Sequence, residues 1–539
     1  MADPVADLAA EVGAAASGLT DAAVEPPTLE RPPKPEFGDY STNAPMLLAR
    51  PLGRPPRDIA ADLGVALAER LGDSLVRTEV AGPGFVNLFM SDRWYAATLA
   101  EIVGAGAGYG KGRGRGRVNV EFVSANPTGP ITVASARHAA YGDSLSRVLE
   151  MAGDRVEREY YVNDSGTQIE RFAASIRART DGEAPPKDGY QGEYVTVLAG
   201  QIAGAADMDD AELARRGVGL MLAGIERTLE RFGVHMDRFV LESTLHDDGK
   251  VAAALQRLEE RGETYRHDGA TWLRTTAHGD DKDRVLVRST GELTYFAADI
   301  ANHEAKRERG SDLDIDVLGA DHHGYVGRIL AAWQSLGGEE GTLDAVILQL
   351  VNLQEAGVRA QMSKRAGAIV ALDDLIDDIG VDATRWFLLQ RSHETTIDLD
   401  LDLARRQSQD NPVYYAQYAH ARIASILRKA GDDRVEHAMS ADLAASTEQW
   451  HPSAQALVKR LSELPTEVDE AAARRAPHRM TTYVTELAQD FSGFYRDCKV
   501  VGAAEEGGDE DLRIALSEAT RRVIARSLEL LGVSAPAEM

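Results

Sequence analysis

Between Arg117 and Met151 the spacing of apolar positions changes period once. Val118, Val120 and Phe122 alternate with Asn119 and Glu121, which predicts a strand. Asn126-Pro127-Thr128-Gly129-Pro130 then stops both kinds of element. Beyond it Tyr141, Leu145, Val148, Leu149 and Ala152 recur at helical spacing, which predicts a helix from about Val133 to Met151. Strand, tight turn and helix in that order open a doubly wound α/β unit. Such a turn presents its residues to a ligand at the carboxyl edge of the sheet.

The flanking patterns divide the chain. Residues 1–112 read as a small α/β domain, in which Glu30 to Pro45 is a Pro-rich loop. Pro55-Pro56 opens a helix with Ile59, Leu63, Ala66 and Leu67 on one face, and Pro83-Gly84 introduces a short strand, Phe85 to Met90. Gly104 to Arg117, GAGAGYGKGRGRGR, reads as a flexible basic linker. Its glycines resemble a dinucleotide fingerprint, but they precede the strand and lack the GK[ST] of a P-loop, so neither nucleotide motif is supported. A second strand ends in the polar turn Asn163 to Gly166. From about 167 to 280 the pattern is mostly helical, which suggests an insertion. Ile315 to Gly319 is a buried strand running into Ala320-Asp321-His322-His323, and a strand over Ala345 to Asn352 precedes the polar loop Gln361 to Gly367. From about Asp400 the chain is helical to Gly532, with helices opened by Pro412 and marked by Val484, Leu487, Ala488, Phe491 and Tyr495 and by Leu516, Ala519, Val523, Leu530 and Leu531.

Composition narrows this picture. A chain of 539 residues, 44% hydrophobic and 27% charged, predicts roughly three or four globular domains. No apolar run approaches the roughly 20 residues of a membrane span, and no basic-then-apolar leader is evident, so the expectation is a cytoplasmic protein without membrane contact. The one cysteine, Cys498, excludes an intramolecular disulfide and a Cys-based zinc site. Asp321-His322-His323 has no companion cluster at zinc spacing, so no protein-held metal is expected. The formal charge of −27 argues mildly against nucleic acid, although a local basic track can coexist with it.

The motifs then point elsewhere. Tyr295 and Asp299 stand four apart on a predicted helix and so share a face. A carboxylate beside a phenol suits the planar donor fork of a guanidinium. SANPTGP (124–130), EYYVNDSG (159–166), TYFAADIA (294–301), VLGADHHGYVGR (317–328), QMSKR (361–365) and NPVYYAQYAHARI (411–423), in this order, resemble the segments of class I arginyl-tRNA synthetases. FGDYSTNAP (37–45), GPGFVNL (82–88) and the terminal GVSAPAEM extend the resemblance over the whole chain. One motif departs. The two histidines of the family's HIGH motif fall on Thr132 and Ser135 and its glycine on Ala134, while Arg137 is kept. The KMSKS-like loop carries Gln361 in place of the first lysine and keeps the second as Lys364.

The resemblance implies a multidomain α/β and all-α architecture: a small α/β N-terminal domain (1–112) that meets the tRNA elbow, a Rossmann-like catalytic core (113–399), and a C-terminal helical bundle (400–539) that binds the anticodon. It implies ATP-dependent activation of L-arginine and transfer to tRNA(Arg), with Mg2+ entering on the nucleotide, tRNA bound before arginine is activated, and a monomeric enzyme. No editing domain is expected, because a site built to pair a guanidinium strongly rejects analogues lacking it. By the same resemblance Glu121, Ser124, Asn126, Tyr295 and Asp299 hold arginine. Pro130, Ala134, Arg137, Asp321, His322, Met362 and Ser363 surround ATP, and Lys364, Thr132 and Ser135 act on the phosphates. Thr132 and Ser135 keep hydroxyl donors but cannot carry positive charge. His138, three residues past Ser135, is expected to point elsewhere. Three readings stand at this point: a working synthetase with a divergent motif, a paralogue binding arginine or tRNA without efficient aminoacylation, or an enzyme passing arginine to another acceptor.

Overall fold

A computed structural model describes residues 2–359 and 370–539. Its centre is a five-stranded, wholly parallel sheet built from β1 (Arg117–Glu121), β2 (Arg155–Val162), β3 (Arg238–Leu241), β4 (Leu313–Gly319) and β5 (Leu343–Leu348). The spatial order β5-β4-β1-β2-β3 reverses direction between β1 and β4. That reversal opens a crevice outside the strands' carboxyl ends, where ligands of open α/β sheets bind. Helix α1 (Val133–Met151) crosses from β1 to β2, and helix α2 (Tyr295–Glu308) leads into β4. Val118, Val120, Ile315 and Val317 are buried in the central strands, as sheets covered on both faces require.

Around this core lie two further units. Helix Pro56–Leu71 buries Ile59, Leu63 and Leu67 against a four-stranded antiparallel sheet that includes Phe85–Met90. Helices Pro412–Ala430, Pro452–Ser462, Arg479–Asp497 and Glu510–Leu531 form the C-terminal bundle, closed by Gly532 in the left-handed conformation. The N-terminal unit is clamped to this bundle by Lys459, whose ammonium lies 2.7 Å from Asp39; Tyr95 donates to the same carboxylate at 2.6 Å. Asp39, part of FGDYSTN, is thereby engaged within the protein.

Three expectations are corrected. The region 167–280 is not one uninterrupted helical insertion, because Arg238–Leu241 returns to the core sheet as β3 and pairs with β2. A second antiparallel sheet, Thr264–His267, Ala270–Leu273 and Arg284–Val287, also lies around its end. The strand expected over 345–352 is two strands, β5 and Val351–Glu355, in different sheets. The basic linker is not loose. The Gly112 and Gly114 N–H groups donate to Met151 and Ala152 carbonyls at 2.8 and 2.7 Å, and a Cβ at Gly112 would stand 2.3 Å from the Ala152 oxygen. Only glycine permits that approach, so the glycines seal the strap while Lys111, Arg113 and Arg115 face outward.

Candidate active site

The residues following β1 form the floor of the crevice. Val123 and Ser124 both adopt positive φ (69° and 39°), a costly conformation for side-chain-bearing residues. Several groups fix it. The Tyr160 hydroxyl donates to the Ala125 carbonyl at 2.8 Å, the Tyr194 hydroxyl to the Thr128 carbonyl at 2.7 Å, and the Tyr161 N–H to Ser124 Oγ at 3.0 Å. Ser124 Oγ in turn donates to Glu121 Oε1 at 3.0 Å. Asn126 is exposed and donates to Gln168 at 2.9 Å.

Glu121 is anchored from below. Its Oε2 accepts from Asn302 at 3.0 Å and lies 2.7 Å from the ammonium of Lys306, a fully buried side chain. Lys306 also reaches Asp316 at 2.9 Å, and His303 holds the other Asp316 oxygen at 2.7 Å. Burial opposes the charge on Lys306, but Asp316, Glu121, Glu159 and Asp314 together hold its pKa well above the ordinary lysine value. Burial likewise opposes protonation of His303, yet the Asp316 carboxylate raises it to about 9. The acids and bases of this cluster lock one another, and the Glu121 side chain keeps 12% of its surface exposed.

Asp299 faces the same crevice from the first turns of α2, one turn beyond Tyr295. Its carboxylate accepts a hydrogen bond from the Tyr325 hydroxyl and has no ion pair among the described residues. Burial raises its pKa to about 6, with Glu242 and Glu121 adding to the effect against the lowering influence of Tyr325 and His303. Tyr295 is half exposed, and its hydroxyl lies against Gly166, where an added Cβ would come within 2.7 Å. Glu242, the residue after β3, completes this wall. It accepts from the Tyr161 hydroxyl at 2.9 Å and from Ser165 Oγ at 2.6 Å. Carboxylates lined by phenols, with too few cations of their own, make a receptor for a cation of guanidinium shape.

Glu242, Tyr161 and Tyr325 escaped the sequence reading. The available signal for Glu242 was its place at the carboxyl end of a strand, but that four-residue strand was itself read as part of a helical stretch.

The nucleotide side is built differently. Thr132 is the N-cap of α1: its Oγ1 accepts from the Ser135 N–H at 3.3 Å and lies 3.3 Å from Ser135 Oγ. The Val133 N–H donates to the Val370 carbonyl at 3.2 Å and the Leu372 N–H to the Ile131 carbonyl at 2.8 Å. This pairing brings the segment beyond the polar loop back to the signature turn. Ala134 and Pro130 are exposed at the crevice edge. Asp321 and His322 are exposed on the turn after β4, their side chains 3.6 Å apart. Arg137, expected at ATP, lies instead beneath the floor. It is 1% exposed and spends its η nitrogens on the carbonyls of Gln349 and Ser392, the latter at 3.0 Å. Gln361, Met362, Ser363 and Lys364 lie outside the described residues. Among the described residues no group of three His, Cys, Asp or Glu could hold a metal, and no helix is long and apolar enough to cross a membrane.

Comparison with known proteins gives a consistent picture. Residues 6–90 match the family model "Arginyl tRNA synthetase N terminal domain", and residues 416–539 match "DALR anticodon binding domain". An arginine–tRNA ligase of Frankia alni is 46% identical over 526 residues, covering 95% of this chain and 94% of the relative. Among solved structures, the Thermus thermophilus arginyl-tRNA synthetase superposes with a TM-score of 0.77 at 23% identity, covering 99% of both chains. The Plasmodium falciparum arginyl-tRNA synthetase gives a TM-score of 0.77 at 16% identity, covering 99% of this chain and 98% of that one. The two structural likenesses speak for the fold.

Proposed function

The chain belongs to the arginyl-tRNA synthetase family, and on that premise we propose how its residues carry out the ligation of arginine to tRNA(Arg). A carboxylate oxygen of arginine attacks the α-phosphorus of ATP, the bond to the bridging oxygen of the β-phosphate breaks, and pyrophosphate leaves. A hydroxyl of the terminal tRNA ribose then attacks the arginyl carbonyl and displaces AMP.

The acidic wall is the observation that carries the assignment of arginine. Asp299 and Glu242 meet the guanidinium, with Tyr295 and Tyr325 bordering it. Glu121, held by Lys306 and Asn302, takes the α-ammonium beside Ser124 and Asn126. At the other end the N-terminus of α1, with Thr132, Ala134 and Ser135, faces the phosphates, and Pro130, Asp321 and His322 border the nucleotide. Lys364, from the polar loop with Met362 and Ser363, supplies the cation for the departing pyrophosphate. Mg2+ would enter on the phosphates, as this ion favours, and would supply charge neutralisation there.

The C-terminal helices bring tRNA. Tyr414 and Tyr418 stack on helix Pro412–Ala430, and Arg422 lies over the rings of Tyr418 and Tyr495, a surface suited to unstacked bases. The enzyme acts as a monomer in the cytoplasm.

Charging of tRNA(Arg) with labelled arginine tests the assignment, with Lys364→Ala as control. The expected result is robust charging that collapses in the control. Retention of arginine or tRNA binding without charging would overturn it in favour of a binding paralogue.

A further inference from the structure

We infer that His138 is a nucleotide-contacting residue that hydrogen-bonds the ribose of ATP, a role that rests on the reading of the crevice above. Three residues along a helix amount to a rotation about 60° short of a full turn and a rise of about 4.5 Å. Ser135 and His138 therefore share a face of α1, contrary to the expectation from sequence. The imidazole is half-buried and lies against the tip of β4. A Cβ placed on Gly319 would stand 3.5 Å from His138 Cε1, 3.7 Å from its Nε2 and 2.6 Å from Asp321 Oδ1. The absence of a side chain at Gly319 thus lets His138 and Asp321 flank the same point at the switch between β1 and β4. Among the described residues His138 has no hydrogen-bond partner, although its neighbours on α1 are fully engaged in packing.

The position along the helix selects the part of the ligand. Phosphates belong at the N-terminus of α1, where N–H groups converge. The Asp321 carboxylate would repel a phosphate but accepts from sugar hydroxyls, and His138 stands beside it. Burial, reinforced by the adjacent Arg137 charge, pulls the imidazole down to about 4, so the ring is neutral at physiological pH. A neutral imidazole offers one donor and one acceptor, which matches a hydroxyl better than a phosphate. The fold thus places an imidazole on the face of α1 that carries Ser135.

Calorimetric titration of the full-length protein with ATP and Mg2+ tests this without requiring turnover. His138→Ala should weaken ATP binding roughly 5- to 10-fold, as expected for one hydrogen bond, with unchanged arginine affinity and melting temperature. His138→Gln, which keeps a donor and an acceptor, should stay within about 2-fold of the parent protein. With 2′,3′-dideoxy-ATP as probe the cost of His138→Ala should nearly vanish, because the partner hydroxyls are gone. Unchanged ATP affinity in His138→Ala, or an undiminished cost with the dideoxy analogue, would overturn the proposal. Parent protein that binds ATP in this pattern yet does not charge tRNA would instead sink the enzymatic reading and leave the role of His138 standing. Failure of the parent protein to bind ATP would overturn both.

Discussion

The two ends of the crevice are made on different principles. At the arginine end, carboxylates are held by buried and half-buried partners: Glu121 by Lys306 and Asn302, Glu242 by Tyr161 and Ser165, Asp299 by Tyr325. At the nucleotide end, the described residues contribute a helix N-terminus, the capping hydroxyl of Thr132 with that of Ser135 beside it, and a neutral histidine. Recognition of a cation needs fixed opposite charge in a dry site, and a fixed charge must be supported by neighbours. A triphosphate arrives with its own Mg2+ and can be held by backbone N–H groups, so that end tolerates substitution of its side chains. The contrast accounts for a chain whose departures from its family's motif fall on the phosphate side.

The strongest way to break this contrast is to remove the charge that meets the guanidinium. Asp299→Ala should lower kcat/KM for arginine about 10³-fold, equivalent to ~4 kcal/mol, while ATP binding by calorimetry stays unchanged. A comparable loss of ATP affinity would show that the two ends are not separable. Removing the support should act on the protein instead. Lys306→Met leaves Glu121 and Asp316 without their shared cation, and the unfolding free energy of the core should fall by about 3–5 kcal/mol, seen as an earlier urea transition.

Acidity sharpens the comparison. The ionised form of Asp299 binds the guanidinium, and its pKa in the free enzyme is raised to about 6. Arginine affinity is therefore fully present above that value and lost as pH falls through it. Between pH 7 and pH 5 the arginine dissociation constant should rise about tenfold, measurable by calorimetry, and Asp299→Asn should flatten the profile. Mildest is the change at the helix N-terminus. Thr132→Ala should cost about 1 kcal/mol of stability through the lost cap, and thermal denaturation would reveal it.

Much of this contrast was legible in the sequence, and the exceptions have physical causes. The period change at Asn126 to Pro130 marked β1 and α1 because both elements carry strong patterns. β3 was hidden by its brevity between long helices, and with it Glu242, whose meaning depends on standing at a strand's end. Thr132 and Ser135 could be read as donors but not as a cap, since capping depends on backbone geometry at Thr132. Arg137 looked like a nucleotide ligand by motif. Only the carbonyls of Gln349 and Ser392, brought in from distant segments, reveal it as a tie beneath the crevice. Lys306 was unreadable for the same reason: the acids that retain its charge come from β1, β2 and β4.

Charging of tRNA(Arg), compared between the parent protein and Thr132→His/Ser135→His, tests most directly whether the nucleotide end works as built. The account predicts that the parent protein charges tRNA(Arg) and that restoring both imidazoles raises kcat by less than the roughly 10²–10³-fold that one missing preorganised donor is worth. An inert parent protein that becomes active only with both histidines restored would contradict it.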